Sequence, residues 1–287
     1  MRLRLGEHAY DDSDLLIMAI VNRTPDSFYD RGATFDESAA IERALQVVEQ
    51  GADIVDIGGV KAASGAEVGE AEEIDRVIPV VQALKAERPD VVVSVDTYRT
   101  AVAREAVRAG CDLINDAWGG ADPGIVVVAA ESGAGLVCSH AGGLAPRTDP
   151  HRVAYDDVVQ DVVRTVTGLA ERATAAGVRR DGILIDPCHD FAKNTYHSLE
   201  LTRRLDVLTD TGWPVLVALS NKDFVGESLG VEIAERLSGT LAATVYSALK
   251  GARVFRAHNV AETRQALDML AVIRGDRPPR RTLRALV

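Results

Sequence analysis

The sequence predicts a single (β/α)₈ barrel. Apolar runs of strand length recur eight times along the 287 residues, and each run ends abruptly in polar residues. Stretches with helical periodicity separate the runs, so the chain divides into eight strand–helix units. An open doubly wound sheet is the rival interpretation. That fold usually carries a GxGxxG or GxxxxGK[ST] loop after a strand, and this sequence has neither.

The first strand illustrates the pattern on which the prediction depends. Residues 15–21 are all apolar, as expected of a strand buried on both faces, and Asn22, Arg23 and Thr24 follow at once. Polar residues at the carboxyl ends of parallel strands converge on one site. The other seven strand ends are DIGG (56–59), SVDT (94–97), IND (114–116), CSH (138–140), IDP (185–187), LSNK (219–222) and FRAH (255–258).

The helical stretches show apolar stripes that we expect to pack on the sheet. Pro79 lies inside one stripe and should kink that helix or limit its length. Three of these predicted stripes are Ile74, Val77, Ile78 and Val81; Ile233, Leu237, Leu241 and Thr244; and Ala261, Leu267, Leu270 and Ile273.

Composition limits the domain organisation and the partners. We expect an N-terminal strand or hairpin over residues 1–14, the barrel over 15–275 and a basic tail over 276–287. A net charge of −11 argues against nucleic-acid and anionic-membrane partners, and no apolar run approaches the roughly 20 residues of a membrane helix. Three cysteines without metal-ligand spacing, and no signal peptide, predict reduced thiols in a cytoplasmic protein.

Polar groups at three strand ends indicate a binding pocket. Asp96, Asn115 and Asp186 follow strands three, four and six. Two carboxylates and an amide match a flat heterocycle rich in N–H groups, such as an aminopyrimidine. The alternative is that each residue caps its own loop, but three such residues at successive strand ends favour a site.

Basic groups follow the last two strands, where barrels usually bind phosphate. Lys222 follows strand seven, and Arg256 and His258 lie two residues apart on one face of strand eight. This pair suits a phosphate or diphosphate. The Asn22 amide oxygen could ligate a magnesium ion that keeps phosphate oxygens and waters. We expect His140 to be a structural hydrogen-bonding group, and His8, His151, His189 and His197 to be loop or surface residues.

The ordered motifs of residues 15–273 resemble those of dihydropteroate synthases. They are NRTPDSF (22–28), DIGG, SVDT, IND, DP…FAKN (186–194), ALSNK (218–222), ERLSGTLAA (235–243) and RAHN (256–259). The resemblance implies a (β/α)₈ barrel and a cytoplasmic, homodimeric folate-pathway transferase. Such an enzyme condenses 6-hydroxymethyl-7,8-dihydropterin diphosphate with p-aminobenzoate, using magnesium.

The resemblance also assigns roles to individual residues. Asp96, Asn115, Asp186 and Lys222 would hold the pterin, and Phe191 would line the aminobenzoate position. Diphosphate leaves first in this family, and the arylamine attacks the resulting pterin cation. The residues implied for diphosphate and metal are Asn22, Arg256 and His258, and the candidate catalytic residues are Asp96, Lys222, Arg256 and His258.

Four loops depart from the family pattern. The second reads DIGGVKAASG instead of DxGGESTRPG, so Ala62 lacks the hydroxyl that helps hold the arylamine and Ala63 lacks the arginine that clamps diphosphate. Lys61 offers a partial replacement charge. In the sixth, Cys188 and Asp190 stand in place of glycines (DPCHDF); in the seventh, SNKD adds Asp223 near the expected aminobenzoate carboxylate. In the first, Arg23 replaces an apolar residue.

These departures favour a divergent paralogue whose pterin-type pocket survives with weak or lost synthase activity. Two alternatives stay open. One is an active but divergent synthase. The other is a pterin-binding barrel with a different role, such as a methyltetrahydrofolate methyltransferase or a non-catalytic binding protein.

Overall fold

A short antiparallel hairpin precedes a barrel of eight parallel strands. The computed structural model describes residues 2–25, 32, 34–61, 65–148 and 154–284. The hairpin pairs β1 (Leu3–Leu5) with β2 (His8–Tyr10). The barrel strands are β3 (Leu16–Asn22), β4 (Ile54–Gly58), β5 (Val92–Asp96), β6 (Leu113–Asp116), β7 (Gly135–Ser139), β8 (Ile183–Asp186), β9 (Leu216–Ala218) and β10 (Val254–Ala257).

The strand order closes the sheet on itself. Neighbouring strands run in the order β8-β7-β6-β5-β4-β3-β10-β9, and a parallel bridge between Ile185 and Val215 joins its two ends. The Ile185 backbone N–H donates to the Pro214 carbonyl at 3.0 Å across that seam. The predicted (β/α)₈ barrel is therefore confirmed. The eight strands begin within a residue of the starts that the apolar runs predict, at residues 15, 53, 91, 113, 135, 183, 215 and 253.

Helices cover the outside of the barrel between successive strands. They are α1 (Glu37–Glu49), α2 (Glu70–Glu87), α3 (Thr100–Arg108), α4 (Gly124–Ser132), α5 (Val158–Ala175), α6 (Thr195–Arg203), α7 (Asp206–Thr209), α8 (Asp223–Leu229), α9 (Leu237–Leu249) and α10 (Val260–Arg274). Short 3₁₀ turns lie at Arg180–Gly182 and Ile233–Glu235. None of the described helices combines the length and apolar character that a membrane span requires.

Two apolar layers enclose the sheet. The outer layer packs the strands against the helices, and the inner layer fills the lower part of the barrel. Leu3 and Leu5 of the hairpin are fully buried in the inner layer, so the hairpin contributes directly to the barrel core. Its other members include Leu16, Met18, Ile54, Val92, Leu113, Leu184, Leu216 and Val254. Because inward positions alternate along each strand, the same faces continue into polar residues at the carboxyl end.

Helix α2 continues through Pro79, so the expectation that this proline limits the helix is wrong. Proline has no N–H and leaves the carbonyl four residues earlier without its helical partner. That carbonyl belongs to Asp75, and the Arg23 guanidinium donates to it at 3.0 Å and to the Arg76 carbonyl at 3.1 Å. The arginine that departs from the family motif thus satisfies backbone groups at the proline.

The last two helices bury faces that differ from their predicted stripes. In α9 the buried residues are Thr240, Thr244, Ser247 and Ala248, whereas Leu237 and Leu241 are only half-buried. Ile273 of α10 is exposed, although Leu267 and Leu270 are buried as expected. The buried face of α9 is therefore made of small and hydroxyl-bearing residues, which allow close packing, and Thr240 Oγ1 accepts the Asn221 N–H at 3.1 Å.

Candidate functional site

A buried carboxylate organises the mouth of the barrel. Asp56 lies on β4, has no solvent exposure and accepts three side-chain hydrogen bonds. Its donors are Ser94 Oγ at 2.7 Å, Asn115 Nδ2 at 3.1 Å and Arg256 Nε at 2.7 Å. Sequence reasoning missed Asp56 as a site residue, although it lies in the quoted DIGG motif at an inward position two residues after Ile54.

Arg256 connects Asp56 to the predicted site residue Asp96. Its Nη2 donates to Asp96 Oδ2 at 2.9 Å, so one guanidinium serves two carboxylates. Burial raises the pKa of Asp96 to about 7, against the opposing influence of Arg256. Burial alone would lower the pKa of Arg256, but the carboxylates of Asp56 and Asp96 raise it above its usual value. Arg256 therefore stays charged, whereas Asp96 can hold a proton near neutral pH.

Asp186 and Lys222 form the opposite side of the pocket. Asp186 ends β8 and is buried, and its Oδ1 accepts the Cys188 N–H at 2.7 Å. Burial raises the pKa of Asp186, although the Lys222 ammonium opposes that shift. Lys222 also hydrogen-bonds the His189 carbonyl, which fixes the loop after β8. The mouth thus holds carboxylates at Asp56, Asp96 and Asp186 against two cations.

Aromatic rings border the pocket beside Lys222. The Lys222 ammonium lies 5.2 Å from the centre of the Phe191 ring, within cation–π range. Trp118 meets the same ring edge-on at 5.5 Å and is buried. Nothing in the periodicity of the sequence distinguishes Trp118, because it lies in an irregular loop after β6. The two rings form an aromatic wall, which is apolar and lies next to a cation.

His258 and Asn22 lie at two other strand ends of the same mouth. His258 follows β10, and both its backbone N–H and its Nδ1 contact Ser220 Oγ, at 3.1 and 3.0 Å. Asn22 pairs with Gly58 across β3 and β4; a Cβ placed on Gly58 would lie 3.0 Å from Asn22 Oδ1 and 3.7 Å from Asp96 Cβ. All eight predicted site residues are therefore at the carboxyl end of the barrel.

The metal-ligating groups near Asn22 fit a magnesium ion only if a bound phosphate group supplies most of its other ligands. The described residues contain no group of three or more His, Cys, Asp or Glu that could hold a metal ion. Magnesium keeps waters and phosphate oxygens and needs few protein ligands, so the single Asn22 amide oxygen is chemically sufficient for such a partner.

The loop after β8 keeps a backbone path that favours glycine. Cys188, Asp190 and Ala192 have φ values of +48°, +64° and +52°, in the left-handed region where non-glycine residues cost about 1–2 kcal/mol each. Asn221 in the next loop has φ +56°. Cys188 and Asp190, at the positions where the family pattern has glycine, thus adopt a conformation that glycine would favour.

A buried lysine holds this loop in place. Lys193 Nζ reaches the Cys188 carbonyl at 3.0 Å, the Phe191 carbonyl at 2.8 Å and His140 Nδ1 at 2.8 Å. Burial lowers the pKa of Lys193 to about 8, and burial together with Lys193 lowers that of His140 to about 4. His140 Nε2 bonds Asp161 Oδ1 at 3.0 Å. His140 is thus a buried hydrogen-bonding group, in agreement with the prediction.

His189 lies in the loop after β8, in agreement with the prediction that it is a loop or surface residue. Its side chain is fully buried rather than on the surface, and its Nε2 contacts Thr202 Oγ1 at 3.1 Å. Burial lowers its pKa well below the usual value. The His189 ring fills the space between its loop and α6. His151 lies outside the described residues.

Arginines from outside the second loop anchor that loop by its carbonyls. Arg76 donates to the Gly59 carbonyl at 2.9 Å, and Arg99 donates to the Val68 carbonyl at 2.7 Å. Arg147, from the loop after β7, donates to the Ala66 carbonyl at 2.8 Å. The degenerate positions Ala62, Ala63 and Ser64 lie between these anchors and outside the described residues.

This geometry agrees with what known proteins show. Residues 18–258 match the family of pterin-binding enzymes. The chain belongs to the pterin-binding enzyme family.

Relatives and solved structures place this pterin-binding chain among the dihydropteroate synthases. It is 60% identical over 275 residues to "Inactive dihydropteroate synthase 2" of Mycobacterium leprae, covering 94% of each chain. It is 39% identical over 271 residues to dihydropteroate synthase of Escherichia coli, covering 94% and 95%. It superimposes on Xanthomonas albilineans dihydropteroate synthase with 4-aminobenzoic acid at a TM-score of 0.85 and 37% identity, covering 95% and 98%.

Proposed function

We propose that the chain binds a dihydropterin in the mouth of the barrel and has weak or no dihydropteroate synthase activity. One observation carries the proposal: the polar groups expected to hold a pterin are assembled around Asp56 and Arg256, whereas the second-substrate loop has lost its family motif. The M. leprae relative named as inactive is 60% identical, which supports weak activity.

The hydrogen-bonding pattern of the pocket suits a pterin. Asn115 Nδ2 donates to Asp56, so the side-chain carbonyl oxygen of Asn115 is left as an acceptor for a ligand. The Asp186 carboxylate offers further acceptors, and Lys222 offers a donor. An aminopyrimidine ring presents N–H groups to the former and ring acceptors to the latter. Asp96 and Asp186 also place negative charge where a pterin cation would develop.

The family reaction defines what the remaining residues would do. The bond between the pterin methylene carbon and the diphosphate oxygen breaks, and its electron pair leaves with diphosphate. The arylamine nitrogen then forms the new bond to that carbon and loses a proton. We assign the departing diphosphate to His258 and to Arg256 Nη1, which makes no hydrogen bond to a described residue. Bound magnesium, with Asn22 as its protein ligand, would supply further positive charge there.

Calorimetry with a dihydropterin tests the binding. We expect measurable affinity, and Asp186→Ala should weaken it roughly 5- to 150-fold, because a lost hydrogen bond to a buried ligand costs about 1–3 kcal/mol. Asp210→Ala, at an exposed position after α7, is the matched control and should bind as wild type. No binding at millimolar pterin would contradict the proposal.

A diphosphate-release assay tests the activity. The assay contains saturating pterin diphosphate, magnesium and 4-aminobenzoate. Losing one charge-stabilising donor costs ~10²–10³ in rate, so we expect turnover at least tenfold below that of the E. coli enzyme. Turnover within tenfold would instead establish the chain as an active, divergent synthase.

The proposed assembly is a homodimer in the cytoplasm. Tyr246 and Leu249 of α9 and Met269 and Ile273 of α10 are exposed apolar residues on two neighbouring helices, which supports self-association there. The three buried free cysteines support a reducing compartment. Analytical ultracentrifugation of the wild type and of Ile273→Asp measures the oligomeric mass of each. If the two masses are equal, this face of α9 and α10 is not the dimer interface.

A further inference from the structure

Two carboxylates flank the residues of the aromatic wall. Asp190 immediately precedes Phe191, and Asp223 immediately follows Lys222. Each is hydrogen-bonded within the chain: Asp190 Oδ2 accepts the Phe224 N–H at 3.2 Å, and Asp223 Oδ1 accepts from Arg236 at 2.8 Å. Two donors of these loops, the Phe224 N–H and Arg236 Nη1, are therefore already used by carboxylates of the chain itself.

Arg236 is the cation on which this arrangement depends. It lies flat on α8, since a Cβ on Gly226 would be 2.3 Å from its Nε. Its side chain is only 11% exposed, whereas that of Asp223 is 78% exposed. Its Nη1 also donates to the Asn221 carbonyl at 2.9 Å, and its Nε is buried without a hydrogen-bond partner among the described residues. Within that part of the chain, Asp223 is its only ion-pair partner.

We propose that Asp223 acts as an internal carboxylate on Arg236, so that the acceptor substrate of this chain is an arylamine without a carboxylate. The inference rests on the proposed function, whose family reaction uses an arylamine acceptor, and on Phe191, which the family resemblance assigns to the acceptor position. An acceptor that carries a carboxylate meets the negative charges of Asp190 and Asp223 and finds Arg236 Nη1 already paired. A neutral or positively charged substituent meets no such repulsion.

Removing the internal carboxylate tests the proposal. In Asp223→Ser, Arg236 keeps its place but loses its counter-ion, so an added carboxylate should take that place. We expect calorimetry with pterin present to give 4-aminobenzoate an affinity about tenfold or more above its value in the wild type, because the contact is a charged hydrogen bond. Affinity for 4-aminobenzamide, which has no carboxylate, should change less than twofold. Asp210→Ser removes an equal charge at a remote position and should leave both affinities unchanged.

A stability readout covers the case in which Asp223→Ser folds poorly. Asp223→Asn keeps the side-chain volume, and benzoate should raise its melting temperature while leaving that of the wild type unchanged. Unchanged 4-aminobenzoate affinity in both variants, or a wild type that prefers 4-aminobenzoate to the amide, would overturn the inference. Pterin affinity measured on the same samples separates the two proposals: its absence refutes the proposed function, whereas its presence without a gain for 4-aminobenzoate refutes only the acceptor class.

Discussion

Removing the Arg256 charge should destabilise the protein in a pH-dependent way. Arg256→Met keeps the apolar stem of the side chain but removes the donors to Asp56, which has no solvent exposure, and to Asp96. Breaking a buried ion pair from one side costs about 3–5 kcal/mol, because the remaining charge is left uncompensated. We therefore expect the free energy of unfolding to fall by about that amount at pH 8.

The loss should be smaller at pH 5.5. The pKa of Asp96 is already raised to about 7 by burial, and loss of the guanidinium raises it further. Between the native pKa of about 7 in the wild type and the higher value in the variant, Asp96 of the native variant stays protonated, whereas Asp96 is ionised in the native wild type and in both unfolded states. The free energy of unfolding of the variant, relative to the wild type, therefore falls as pH rises through this window, by up to about 1.4 kcal/mol per pH unit for each such carboxylate.

Urea unfolding at pH 5.5, 7 and 8 measures both effects. Arg253→Met is the matched control, since its partner Asp12 is exposed and can be rehydrated; it should cost about 1 kcal/mol with no pH dependence in this range. Adding Asp96→Asn to Arg256→Met should flatten the pH profile. A loss below 1 kcal/mol at pH 8, or an equal loss at all three values, would refute the reasoning.

Three further predictions concern the loops of the mouth. Gly142→Ala should cost about 3 kcal/mol, because its Cβ would lie 2.3 Å from that of Ala192, and only about 1–2 kcal/mol in an Ala192→Gly background; a double-mutant cycle in urea measures the difference. The low pKa of Lys193, about 8, means that the unfolded state binds more protons between pH 8 and 10. The contribution of Lys193 to stability should therefore grow with pH there, against the opposite contribution of the three buried thiols, whose pKa values burial raises; the melting temperature of Lys193→Met should fall more steeply with pH than that of the wild type. Asn22→Ala should reduce the magnesium-dependent part of diphosphate affinity about fivefold or more in calorimetry, while metal-free affinity stays unchanged.

The barrel could be predicted from sequence because its signal is local and repeated. Each strand is recognised in the sequence by an apolar run that ends abruptly in polar residues. The alternation of inward positions along the strands then places Asn115 and Arg256 on the pocket side. The α9 face could not be predicted from apolarity, because the side that approaches the barrel is built from Thr240, Thr244 and Ser247. Hydropathy does not distinguish a small hydroxyl side chain that packs closely from one that faces water.

The site was predicted less completely than the fold. Asp96 and Asp186 stand out because each ends a strand, whereas Asp56 lies inside a buried strand and is identified by its three donors. The continuation of α2 through Pro79 depends on Arg23, which lies more than fifty residues earlier in the chain. Local propensity rules carry no information on such a distant donor, so they predict a break where tertiary contact maintains the helix.

The anchoring of the second loop bears on how its motif could be lost. Arg76, Arg99 and Arg147 grip main-chain oxygens, and every amino acid offers the same oxygen. Mutations between the anchors therefore keep these three main-chain acceptors, whatever side chains they introduce. These attachments of the loop do not depend on the side chains of its motif. The same independence makes the loop a suitable place to introduce a new specificity by directed evolution.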